Sequence, residues 1–393
     1  MDASQRQVLW TTGLSHGLIH VFELAVPALL IRIQAEFGVG DFAMGRVVTV
    51  YGLLFGLGAL PAGWLVDRIG ARVLLVCCLW GASLSLAGMA WSPSLPAFSA
   101  AAACMGLALS IYHPAGTSLI THAIPLSGRV FAWHGMGGNL GVAGASVIAG
   151  VLGDLVGWRW TLALLAAAGA ALGARAWTLP GPAPAAVRKR EGNGRWTSFV
   201  LLLVAAGFLG MVYRGTTTFL PKFLSLLYSA GSTTTGVGGA LTTLALLVGL
   251  LGMYWAGRLV DRGKRPSSMF LVGAVLQGPP LLLLGLLGGP TVLPLAMGVA
   301  FFHFFTQPPG NHMVAEFTPP RLRGLGYGVY FFVAFGAGSF GASLGGFISD
   351  RWGLAYAFVG LAAVLVPAIA ASVFLRASTR ERSTAARAPV PGA

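Results

Sequence analysis

His16, His20 and Glu23 stand at i, i+4 and i+7 in an otherwise apolar stretch, so in a helix they share one face. Glu23 is the only acidic residue well inside any long apolar run. A carboxylate in low-dielectric surroundings is costly in its charged form, which suits it to bind and release a proton, with His20 and His16 beside it. The only basic residue at comparable depth is Arg214. Its planar fork matches carboxylate or phosphonate oxygens, making it a candidate anchor for an anion, and the preceding Tyr213 adds a hydroxyl and a ring. Glu23 and Arg214 could also approach each other. Their pairing would be structural if permanent and a coupling device if exchanged for proton and substrate. Lys222, nearer the end of the same run, is expected to be solvated.

Two further groups have chemistry-bearing spacing. His113 precedes Pro114 and Gln307 precedes Pro308. Proline frees a carbonyl one turn back, so a helix is expected to bend at each. His303, Gln307 and Asn311 repeat at i, i+4, i+8 and form a polar stripe. Ionisable and polar groups inside apolar runs are expensive and point to function, so His113, His303, Gln307 and Asn311 join Arg214 and Tyr213 as candidate substrate contacts. His134 and Asn139 lie in a neighbouring run. The His16/His20/Glu23 trio could in principle ligate zinc. Against that reading, the three cysteines (Cys77, Cys78, Cys104) lack metal-ligand spacing. No metal and no cofactor is expected.

The elements that position these residues follow from composition. Apolar residues are 56% of the 393 and charged residues 9%, too few charges for a water-facing surface on a chain this long. The runs are continuous and Leu/Ala/Gly-rich, long enough to cross a ~30 Å hydrocarbon core, and unlike the alternating strands of a β-barrel. Twelve such runs occur, near Val8–Arg32, Arg46–Leu65, Arg72–Ala90, Ala97–Ile120, Arg129–Leu152 and Trp158–Trp177, then Thr197–Leu220, Gly236–Leu259, Met269–Leu287, Val292–Ala315, Gly324–Ile348 and Gly353–Leu375. The expected organisation is a first bundle over 1–178, a linker over 179–196, a second bundle over 197–376 and a disordered tail over 377–393. The first run is too long for a signal-peptide core and is expected to be a retained helix.

The net charge of +14 does not indicate nucleic acid, because the basic residues occupy short gaps between apolar runs. With the N-terminus inside, nineteen of the 25 Lys and Arg residues fall on the inner side and five on the outer, with Arg214 within a span. That bias predicts both termini and the linker on the cytoplasmic side of the plasma (inner) membrane.

The two halves repeat. Gly63–Arg68 reads GWLVDR and Gly257–Arg262 reads GRLVDR, an offset of 194. The same offset relates Pro27 to Pro221, His113-Pro114-x-Gly116 to Gln307-Pro308-x-Gly310, and His20 to Arg214. Gly150-x-x-x-Asp154-x-x-Gly157 matches Gly346-x-x-x-Asp350-x-x-Gly353 at an offset of 196. Two similar bundles create a cleft at their interface, an architecture suited to alternating access.

Gly63-x-Leu65-x-Asp67-Arg68-x-Gly70-x-Arg72, with its second copy at Gly257–Arg262, resembles the signature loop of the major facilitator superfamily. The resemblance covers essentially the whole chain. It implies an all-α membrane fold of about twelve helices in two pseudo-symmetric bundles, a cleft lined by spans one, four, seven and ten, and a monomer. It also implies a transporter and no enzyme. Asp67, Arg68, Arg72, Asp261 and Arg262 would latch one conformation, through a helix N-terminus or a pair across the bundle interface. Ser15–Leu30 and Ser110–Gly116 are similar to the subgroup that includes fosmidomycin-resistance exporters. Two departures speak against proton-driven drug export. Ala102 stands four residues before Gly106, where drug–proton antiporters carry Arg, and Ala145 follows Gly144, where they carry Pro.

The expected function is therefore secondary active transport of a small anionic or amphipathic solute, coupled to protons. The alternatives are a multidrug exporter of apolar or cationic compounds, a facilitated-diffusion carrier of organic anions and, from a different class, a polytopic membrane enzyme with a metal site at His16, His20 and Glu23. The Gly-rich stretches at Gly135–Gly150 and Gly324–Gly346 are expected to serve close helix packing.

Overall fold

A computed structural model describes residues 1–124, 128–180, 194–229, 234–319 and 322–385, with backbone alone for Asp67, 128–129, 131–132 and 380–385. Most of the expected linker and the last eight residues of the tail lie outside the described residues. The chain is helical. Asp2 and Gln5 form a reciprocal capping box (Gln5 N–H to Asp2 Oδ1, 2.8 Å; Asp2 N–H to Gln5 Oε1, 3.1 Å) that starts α1, Ala3–Ala28. Pro27 cannot donate to the helical ladder, and the chain bends by 51° at Leu29 into α2, Leu30–Phe37. There follow α3 (Asp41–Ile69), α4 (Ala71–Ala90), α5 (Leu95–Leu109), α6 (Tyr112–Ala123) and α7 (Gly128–Trp177). The second half holds α8 (Trp196–Tyr228), α9 (Gly236–Asp261), α10 (Pro266–Leu286), α11 (Val292–Phe305), α12 (Gln307–Phe317), α13 (Arg323–Phe331), α14 (Phe340–Trp352) and α15 (Leu354–Ala385).

Ten helices among the described residues are long and apolar enough to span a bilayer. One of them breaks at Gly157, where φ of 80° and ψ of 160° end one helix and start the next. The bent pair α1/α2 supplies a further span, so the twelve runs expected from sequence are accounted for. Gly353, the repeat-mate of Gly157, makes the same left-handed turn at φ 101° between α14 and α15. The fourth and tenth spans break where the matched prolines require. α5 stops at Leu109 before Tyr112-His113-Pro114, and α11 stops at Phe305 before Gln307-Pro308.

In the first half α1 and α4 pack on α7, while α5 packs on α3 and α4; in the second, α8 and α10 pack on α15 and α11 on α9. The most extensive crossings between the halves are α7 with α9 and α3 with α14. Glycine makes these approaches possible. A Cβ on Gly45 of α3 would collide with the Ala342 carbonyl of α14, and one on Gly239 of α9 with the Ser146 carbonyl of α7. The outer face is apolar: Leu84 is 76% and Leu155 73% exposed. A surface of that kind requires lipid. The last helix runs to Ala385, past the expected boundary at 376, because Ala, Arg and Glu in RASTRERSTA sustain a helix.

Candidate functional site

α1 from the first bundle and α8 from the second meet near the middle of the molecule. Glu23 of α1 pairs with Arg214 of α8 through Nη2 to Oε1, with side chains 6% and 1% exposed. The other Glu23 oxygen accepts from His20 Nδ1 at 2.9 Å. Tyr51 of α3 donates its hydroxyl to the Glu23 backbone carbonyl at 2.8 Å, bracing the helix at that point. Arg214 thus spends one guanidinium nitrogen on Glu23. Its Nε and Nη1 are buried and have no partner among the described residues. A guanidinium has five N–H donors, so the site holds donor capacity that no described residue uses.

On the other side of Glu23 the structure assembles histidines. His16 lies 5.2 Å from His20 and 5.2 Å from His113 between ring centroids, and stacks on His134 at 4.6 Å. Tyr112 covers His16 at 5.2 Å and donates its hydroxyl to the Thr12 carbonyl. His113, at the start of α6, stacks on Phe331 of α13 at 6.0 Å, so the cluster reaches the interface between the bundles. Sequence spacing placed His16, His20 and Glu23 on one face, as found. That His113 and His134 join them depends on packing of α6 and α7 against α1.

The second bundle holds the polar stripe. His303 stacks on Tyr213 at 4.7 Å and 13°. This pair lines two cavities at once. The first encloses about 530 Å³ of empty space, open solvent included, and is bordered by Tyr213, His303, Gln307 and Asn311 among aromatic residues Phe270, Tyr330, Phe331 and Phe335. Four of the six expected substrate contacts therefore face one space. Arg214 is buried and borders neither cavity, and His113 reaches this one only through Phe331. The second cavity, of about 320 Å³ on the same measure, lies among α8 to α11 and is bordered by Thr216, Thr217 and Gln277. Thr216 Oγ1, both amide atoms of Gln277 and His303 Nδ1 are buried there without partners among the described residues. Sequence reading passed over Gln277, although a Gln inside an apolar run is a visible signal.

The expected latch residues do not bridge the bundles among the described residues. Arg68 is exposed and stacks over Trp64 at 4.3 Å, while Arg72 donates to the Leu179 carbonyl at 3.0 Å within its own half. Asp261 and Arg262 are exposed at the end of α9. The Asp67 side chain lies outside the described residues. The polar closure is instead at the opposite end of the bundles. Asp154 of α7 accepts from the backbone N–H of Thr235 (2.8 Å) and Gly236 (2.8 Å), capping α9 of the other half, and from Arg32 at 2.7 Å. Asp350 of α14 accepts from the N–H of Asp41 (2.8 Å) and Phe42 (2.9 Å), capping α3 of the other half. The repeat had marked these two aspartates as equivalent, and the structure gives them the same task. A carboxylate at a helix N-terminus meets both free N–H groups and the positive end of the dipole. Lys222, expected to be solvated, instead donates to Asp41 at 2.6 Å and to Gln34 at 2.9 Å, drawn in by the carboxylate.

Comparison with known proteins agrees with this architecture. A family model described as the Major Facilitator Superfamily matches residues 17–342 and 228–391. The D-galactonate transporter of Escherichia coli O6:H1 is 23% identical over 380 residues, covering 85% of this chain and 86% of that protein. The Pseudomonas aeruginosa protein named transcription regulatory protein OpdE is 26% identical over 356 residues, covering 88% and 87%. The crystal structure of a D-xylose-proton symporter superposes with a TM-score of 0.79 at 14% identity, over 95% of this chain and 97% of that one, a likeness of fold. Matched along nearly its whole length and folded as two pseudo-symmetric helical bundles, the chain belongs to the Major Facilitator Superfamily: it is a multi-pass membrane transporter of small molecules and not an enzyme.

Proposed function

We infer that the transporter carries a small organic acid between its bundles by alternating access, with Arg214 as the anion anchor and Glu23, assisted by His20 and His16, as the proton-coupling group. The observation that carries this reading is Arg214 itself, a buried guanidinium that among the described residues has two nitrogens unpartnered and one carboxylate partner, which belongs to the other bundle. An incoming carboxylate can take the free donors in a bidentate pair. If it then displaces Glu23, the released carboxylate is free to take a proton, and solute and proton become linked through one residue. The similarity to a D-galactonate transporter supports a hydroxylated acid as substrate. Tyr213, His303, Gln307 and Asn311 supply hydroxyl-binding groups around the cavity, with His113 reaching it from the other bundle through Phe331. The aromatic border of that cavity favours one second reading, an amphipathic solute.

The same reading puts the protein in the plasma membrane as a monomer. Its bundles are 1–178 and 197–376, and both termini and the 179–196 linker are cytoplasmic, following the distribution of Lys and Arg. In this scheme Asp67, Arg68, Arg72, Asp261 and Arg262 engage in the conformation opposite to the one described.

A thermal-shift screen of the purified protein against acidic sugars such as D-galactonate, their neutral parent sugars, and bulky cations tests the proposal. Stabilisation by the acids, reduced at least tenfold in apparent affinity by Arg214→Ala, is the expected result. Stabilisation by cations alone, or equal losses for acids and neutral sugars, overturns it.

A further inference from the structure

We propose that His16, His20 and His113 form a binding site for one divalent transition-metal ion, with Zn²⁺ as the simplest occupant. One potential ligand atom from each of the three lies within 4.8 Å of the others. Tetrahedral Zn–N bonds of about 2.0–2.1 Å set nitrogen separations near ~3.4 Å, so the rings need close by at most about 1.5 Å.

Ring orientation carries the argument further than proximity. His20 Nδ1 meets Glu23 Oε2 at 2.9 Å, and His16 Nδ1 meets the His134 carbonyl oxygen at 3.1 Å. A carbonyl or carboxylate oxygen can only accept, so each Nδ1 carries the hydrogen and each Nε2 keeps its lone pair. Metal-ligating histidines are oriented in this way, with the far ring nitrogen donating to a carboxylate or backbone carbonyl. His113 makes no ring hydrogen bond among the described residues, leaving either nitrogen available. By sequence spacing alone the third ligand beside His16 and His20 is Glu23. Here Glu23 turns to His20 Nδ1 and to Arg214, and His113 of α6 takes the third place.

The ligand set also selects the ion. Three neutral imidazole nitrogens suit Zn²⁺, Ni²⁺, Co²⁺ or Cu²⁺, whereas Mg²⁺ and Ca²⁺ take oxygen ligands. A three-histidine set leaves a coordination position open. The ion would tie α1 to α6, across the break that ends α5. This inference does not depend on which solute is carried.

The test uses the tag-free full-length protein in detergent, first stripped with chelator. Titration with ZnCl₂ is expected to show one saturable site and a rise in unfolding temperature, with none for MgCl₂. The affinity should fall at least tenfold in His16→Gln, in His20→Gln and in His113→Gln. X-ray absorption at the zinc edge of the wild-type protein is expected to show three imidazole ligands, a readout that needs no folded variant. A sulfur shell from Cys77 or Cys104, both exposed, or fewer than three imidazoles, overturns the proposal. So does zinc binding by the triple variant equal to that of the wild type.

Discussion

Glu23 on α1 and Arg214 on α8 form an ion pair that crosses between the bundles, 191 residues apart in sequence, with both side chains almost fully buried. Such a pair adds little net stability, because desolvation offsets the attraction, yet removing one partner strands a buried charge. Either single replacement, Glu23→Leu or Arg214→Met, should therefore destabilise by about 3–5 kcal/mol, and the double replacement should recover most of that loss. Thermal or denaturant unfolding of the four proteins measures the coupling. Transport adds a separate expectation: Glu23→Gln should abolish uphill uptake into proteoliposomes while solute exchange persists. Uphill movement at the wild-type rate would remove Glu23 from the coupling step.

The paired caps at the end opposite the chain termini are the second point of control. Asp154→Asn and Asp350→Asn each keep the shape and remove the charge that meets a helix N-terminus of the other bundle. Loss of a charge at a helix N-terminus costs about 0.3–1 kcal/mol and up to ~2 kcal/mol where it is partly buried, a shift of roughly 2- to 30-fold in a two-state population. Spin labels placed across α7 and α9 should report a wider distance distribution in Asp154→Asn, and labels across α3 and α14 should do so in Asp350→Asn. Unchanged distances would show that these caps follow closure without holding it.

Gln277 offers a test of the cavity behind Tyr213 and His303. Both ends of its amide are buried without a partner among the described residues. If nothing but space surrounds them, Gln277→Leu should be neutral or stabilise by up to about 1–3 kcal/mol, the desolvation cost of the amide. If the cavity reads solute hydroxyls, the same variant should weaken binding of a hydroxylated acid at least tenfold while leaving a deoxy analogue unaffected. Melting temperature and ligand affinity, measured on one preparation, separate the two outcomes.

How much of the site was legible in advance depended on the range of each interaction. His16, His20 and Glu23 could be set on one face because helical period is a local property. The breaks before His113 and Gln307 followed from proline, which acts one turn away. The histidine cluster could not be assembled in this way. Glu23 was grouped with His16 and His20 as a possible ligand set, and only the placement of α6 and α7 against α1 brought His113 and His134 to it. The latch motif was visible as a repeated string, whereas the closure described here uses Asp154 and Asp350, whose partners are backbone N–H groups and carry no residue signature.

By itself the sequence determined that this chain lives in lipid, crosses it about twelve times and is built from two related halves. Composition, run length and the 194-residue offset are additive along the chain and need no knowledge of contacts. The tertiary structure decided which buried charges meet, which nitrogen of His16 and of His20 is left free and which end of the bundles is closed. Those outcomes depend on how helices from opposite halves pack, and in hydrocarbon that packing is chosen by surface shape and by the few polar groups that must find one another.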